Sequence, residues 1–86
     1  MSEGWDFPHT ARAMAKYFTG REEMQGSRWA AGRIAAKEWL RLIENGVQSD
    51  EDLAHLDALI SAGAGDDGSA WVELRLGYNA WRAQIS

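Results

Sequence analysis

The feature that most narrows the folds open to this chain is a ridge of large side chains near its C-terminus, where Trp71, Leu74, Tyr78, Trp81 and Ile85 recur every three or four residues. That spacing sets all five on one side of an α-helix for about four turns. The same segment also alternates, with Val72, Leu74, Leu76 and Tyr78 separated by Glu73, Arg75 and Gly77, as a strand would. A strand needs a partner, and no other stretch of the chain alternates, so it would have to pair with a second copy or with another protein. We read Ser69 to Ile85 as an amphipathic helix and as the anchor of the core.

A ridge of this kind must be met by other helices, and the rest of the chain supplies them. Asp6, Phe7 and Pro8 open a helix predicted over about 7 to 19, with a capping carboxylate and a proline in the first turn, where its missing N–H is not needed. Ala11, Met14, Ala15 and Phe18 follow at helical spacing, and Gly20 ends the segment. A second helix begins either at the capping-box pattern Thr19-Gly20-Arg21-Glu22 or after Gly26, with Ser27 as its cap. Its apolar stripe runs through Trp29, Gly32, Ala36, Trp39 or Leu40, and Ile43, widened by Ile34, Ala35 and Leu42, and it closes at Asn45-Gly46. Gly32 and Ala36, one turn apart, admit a neighbouring helix closely. Ser49 caps a third helix whose first turn holds Asp50, Glu51 and Asp52 and whose buried side is Leu53, Leu56, Leu59 and Ile60, ending at Gly63. Ala64 to Gly68 reads as a flexible polar loop and a hinge. The expectation is an all-α fold, a small bundle of three to four short helices forming one domain over residues 1 to 86.

A chain of 86 residues buries only roughly 60–65% of the surface its unfolded form exposes. With no cysteine, neither a disulfide nor a thiolate metal site reinforces so thin a core. Five tryptophans, Trp5, Trp29, Trp39, Trp71 and Trp81, join Phe7, Tyr17, Phe18 and Tyr78, a surplus that either fills the core or marks a surface where a partner docks. The N-terminal residues show no signal-peptide pattern and no stretch is long enough to span a bilayer, which points to a cytoplasmic protein with no membrane partner.

Charge is laid out unevenly. From His9 to Arg41 the basic residues Arg12, Lys16, Arg21, Arg28, Arg33, Lys37 and Arg41 outnumber Glu22, Glu23 and Glu38. From Glu44 to Asp67 the acids Glu44, Asp50, Glu51, Asp52, Asp57, Asp66 and Asp67 stand with no lysine or arginine among them. The two segments either neutralise each other within the fold or steer a charged partner.

No constellation points to catalysis. Gly63 to Ser69 has the outer spacing of a phosphate-binding loop but lacks its lysine, follows a helix and carries two aspartates. Glu51, Asp52 and His55 share a helical face, yet carboxylates in a first turn answer to the helix dipole. Ser61 or Ser69 with His55 and Asp57 makes no triad without a pocket to hold it. Neither a cofactor nor a metal is expected. Arg33, Lys37 and Arg41 form a basic stripe flanked by Trp39 that would suit nucleic-acid phosphates, although the following helix, with its four acids, is ill-suited to a DNA groove.

In length and acidic character the chain resembles the small acidic accessory proteins that phages use to inhibit host factors, anti-CRISPR proteins among them. The resemblance implies acids that stand in for phosphates in an Arg/Lys-lined channel. The functional expectation is a non-enzymatic protein-interaction module, an inhibitor of that kind, binding a basic protein surface through Glu44, Asp50, Glu51, Asp52, Asp57, Asp66 and Asp67. The alternatives are nucleic-acid binding through Arg33, Lys37 and Arg41, and a structural homo-oligomer that sequesters surplus aromatics.

Overall fold

The computed structural model describes residues 5–20 and 26–85, with the side chain of Ser69 left aside. Within them the chain forms four helices and no strand: α1 (Phe7–Phe18), α2 (Ser27–Asn45), α3 (Asp50–Ser61) and α4 (Ser69–Ile85). The expected small all-α bundle is what the sequence builds, and the strand reading of residues 71 to 78 is set aside. No helix among the described residues is long and apolar enough to cross a membrane.

Local chemistry explains where each helix starts. Asp6 caps α1 by accepting a hydrogen bond from His9 N at 3.1 Å, and Pro8 sits in the first turn. The capping-box start Thr19-Gly20-Arg21-Glu22 lies partly outside the described residues. Ser27 is the first residue of α2 rather than its cap; that position falls to Gly26, whose φ of +89° is a conformation few other residues adopt. Ser49 does precede α3, but its side chain makes no capping bond; Asp52 Oδ2 instead reaches back to accept from Gln48 N at 2.9 Å.

The core is a stack of rings between α1, α2 and α4. Phe18, at the end of α1, meets Trp29 at 5.0 Å and Trp71 at 5.6 Å, while Phe7, at its start, meets Trp39 at 6.4 Å. α1 and α2 therefore run antiparallel. Trp39 in turn packs against Tyr78 at 6.1 Å and Trp81 at 6.3 Å, so α4 runs alongside α2 in the same direction. The close approach foreseen at Gly32 is real: a Cβ there would lie within 2.6 Å of Phe18 Cε1, Cδ1 and Cζ, and only hydrogen fits.

The aromatic surplus goes mainly into this stack. Trp39, Trp71 and Trp81 are buried, Trp29 is half-buried with Tyr17 stacked on it at 5.6 Å, and Trp5 is 41% exposed. Of the C-terminal ridge, Trp71, Leu74, Tyr78 and Trp81 are buried as their spacing predicts, but Ile85 is 43% exposed because it is the last residue of α4. On α2 the buried residues are Gly32, Ala35, Ala36, Trp39 and Leu42. Ile34, expected to widen that stripe, is 47% exposed, since at about 100° per residue it lies on the opposite side of the helix.

Candidate interaction surface

α3 is the helix that carries the acidic segment, and Leu56 and Ile60 press it onto the core, with Leu53 and Leu59 half-buried beside them. The residues that hold it against α4 are polar. Asp57 receives Arg82 in a two-point contact, Nε to Oδ1 at 3.1 Å and Nη2 to Oδ2 at 3.0 Å, and the Tyr78 hydroxyl donates to the same Oδ1. Arg82 holds the Asp57 carboxyl below the usual carboxylate range, with the Tyr78 bond adding to the effect. Burial, and then the bond to Asp57, raises the Tyr78 phenol, so it stays protonated as the donor.

The loop after α3, expected to be a hinge, is tied down. Arg75 Nη1 donates to the carbonyls of Gly63 at 2.7 Å and Asp66 at 3.0 Å. Asp66 accepts from Gly68 N at 2.8 Å and from Arg28 Nε at 2.9 Å, and these bonds hold its carboxyl below its ordinary value, the backbone N–H contributing most. Gly63 lies flat under Trp71, where a Cβ would fall within 2.5 Å of ring atoms Cε3, Cδ2 and Cζ3. Trp71 Nε1 donates in turn to the Arg28 carbonyl at 3.2 Å. This stretch cannot cradle a phosphate in that conformation, because the Asp66 carboxylate already occupies the Gly68 N–H.

The seven acids are thus divided rather than gathered. Glu44 pairs with Arg12 at 3.1 Å, Asp57 with Arg82 and Asp66 with Arg28, while Asp52 is spent on the turn into α3. Asp50, Glu51 and Asp67 are exposed. The first two stand at the start of α3 and the third beyond its end, and a helix of 12 residues is about 18 Å long. Two surface pairs join the oppositely charged sequence segments: Arg12 and Arg28 come from the basic half, Glu44 and Asp66 from the acidic one.

The basic stripe is likewise altered by its surroundings. Arg41 donates to Glu38 through both Nε, at 3.1 Å, and Nη2, and this pairing lowers the Glu38 carboxyl below its usual value. Arg33 is half-buried and Lys37 exposed. Trp39, placed beside the stripe by sequence, is fully buried on the other side of α2, so it offers no ring for a base to stack on.

Arg75 and Arg82, which hold α3 and its loop, are the structural residues that the apolar pattern does not single out. They sit seven residues apart on the edge of α4 beside the ridge, a spacing of two turns that signals a shared neighbour. Among the described residues no pocket opens and no group of three or more His, Cys, Asp or Glu could hold a metal ion. No protein-family model matches the chain, and no curated protein or solved structure is significantly similar to it.

Proposed function

We propose that the protein is a non-catalytic interaction module that docks on a basic surface of another protein through acids left exposed on its surface: Asp50 and Glu51 at the start of α3, and Asp67 beyond its end. The observation that carries this reading is the division of the acids. Each of Glu44, Asp57 and Asp66 holds an arginine of this chain, whereas the first turn of α3 presents Asp50 and Glu51 outward. The N-terminal dipole of α3 favours negative charge at that point, and both residues are exposed to solvent. Such a cluster steers and orients a positively charged partner. The acidic size class that the chain resembles favours an inhibitor whose carboxylates take the place of phosphates on a nucleic-acid-binding protein.

The test is the combined substitution Asp50→Lys, Glu51→Lys and Asp67→Lys, used as bait beside the wild type in a host extract. The expected result is a protein retained by the wild type, released by raised salt, and absent from the variant while its circular dichroism is unchanged. Retention of the same protein by both baits would refute the acidic surface.

A further inference from the structure

We infer that α3 and the turn leading into it, residues 46 to 62, open and close as one unit over a core of α1, α2 and α4 that stays folded. α3 has the least to hold it. It buries two of its 12 residues, Leu56 and Ile60, whereas α1, of the same length, buries six. It contains no Phe, Tyr or Trp, so the rings that lock the other three helices together, Phe18 on Trp71 and Trp39 on Phe7 and Tyr78, do so without it. An element with few buried apolar side chains opens at a lower free energy than the whole domain unfolds.

The two ends of the segment are held differently. Beyond its C-terminal end, Gly63 lies under the Trp71 ring, its carbonyl accepts from Arg75, and Asp66 is bound by Arg28, so the chain is fixed to the core from Gly63 onward. At the other end residues 44 to 51 are all exposed, and Gln48 bonds to its neighbours Asn45 and Asp52. Gly46, at φ +87°, turns the chain out of α2. Between the two ends Asp57 is the latch, receiving Arg82 in two bonds and Tyr78 in a third. With 44% of the Asp57 side chain and 31% of the Arg82 side chain open to solvent, water and salt compete for that pair. Lifted off the core, a helix of this length is too short to persist in water, so the open form is an unwound loop tethered at Gly46 and Gly63. Asp50 and Glu51 lie on that loop. If they dock a partner, as proposed, their surface is assembled only in the closed form; this consequence rests on the proposed function, and the opening itself does not.

Residue-resolved amide hydrogen exchange of the full chain, from zero to moderate urea and with no partner present, tests it. The amides of residues 54 to 61, within α3, are expected to share one opening at least about tenfold more frequent than global unfolding. Its urea slope should be less than about half of that shown by Leu74 and Trp81 in α4, because only part of the surface is exposed. Leu56→Asp, which puts a charge on a fully buried side chain of α3, should hold the segment open. The helical circular dichroism of those 12 residues is then lost, while the near-ultraviolet signal of the stacked rings and a cooperative unfolding transition remain. Exchange of α3 and α4 at the same frequency and with the same urea slope overturns the separate opening. So does a Leu56→Asp chain that loses both signals or neither. Retention of a partner by the lysine variant described for the acidic surface moves neither readout, so the two readings fail separately.

Discussion

Replacing Gly32 by alanine sets two opposing effects against each other at a position where the structure decides the winner. Alanine in a helix interior gains about 1 kcal/mol over glycine, and α2 would gain that amount if nothing touched the new methyl. The methyl would, however, lie within 2.6 Å of three atoms of the Phe18 ring, where ordinary carbon contacts begin near 3.5 Å, so the ring must move by about 1 Å. It has nowhere to go, being fully buried with Trp29 at 5.0 Å and Trp71 at 5.6 Å. Overpacking of that kind costs about 1–3 kcal/mol and occasionally more, and the displaced ring belongs to the central stack, which puts the cost at the upper end. The net is a loss of about 1–2 kcal/mol, or a melting temperature lower by roughly 4–16 °C in a domain this small. Gly77→Ala is the internal control. There the nearest atoms are Trp39 Cη2 at 3.0 Å and Thr10 Cγ2 at 3.2 Å, a conflict of a few tenths of an ångström that the gain in helix propensity offsets, so its stability stays within about 1 kcal/mol of wild type. Urea unfolding of the two variants beside the wild type measures both. A Gly32→Ala protein as stable as the wild type, or one more stable than Gly77→Ala, would refute the packing of α1 against α2 described above.

Three further outcomes follow, two from polar contacts and one from packing. Glu38, Asp57 and Asp66 all have carboxyls held below their ordinary values, so their contribution to stability is complete above about pH 5 and is lost as the pH falls through the ordinary and then the lowered values; the melting temperature should be flat from about pH 5 to 8 and drop in acid, less steeply in Asp57→Asn. Arg75→Met removes two bonds to carbonyls and should cost about 1–3 kcal/mol while accelerating amide hydrogen exchange specifically over residues 63 to 68. Gly63→Ala should destabilise as well, since the new methyl falls within 2.5 Å of the Trp71 ring and no helix propensity compensates outside α3; thermal unfolding reads it directly.

How much of this was legible in the sequence depends on which interactions are local. The C-terminal ridge, the Asp6 cap and the closeness at Gly32 follow from spacing and residue type, because a helix sets its own periodicity. Ile34 misled because α2 is flanked by apolar and small residues on several sides, and only the packing of α1 decides which side is buried. Ile85 follows the period faithfully yet ends the helix. The loop from Ala64 to Gly68 reads as free by composition, and it is held by Arg75 and Arg28 from distant parts of the chain, contacts that no local pattern encodes. For the same reason the acids could be counted but not sorted: that Asp57 and Asp66 are taken up by Arg82 and Arg28 while Asp50 and Glu51 are left exposed depends on where α2 and α4 lie relative to α3.

That sorting is the central claim, and a comparison of melting temperatures at moderate salt tests it without knowledge of the partner. Asp57→Asn, which breaks the contact with Arg82 and weakens the one with Tyr78, is expected to lower the melting temperature by about 4–8 °C, the response of a domain of this size to roughly 1 kcal/mol. Asp50→Asn with Glu51→Gln should change it by half that or less, because salt screens what the helix dipole contributes. Equal losses in the two proteins, or a larger one from the pair at the start of α3, would contradict the division between acids that hold the fold together and acids that face outward.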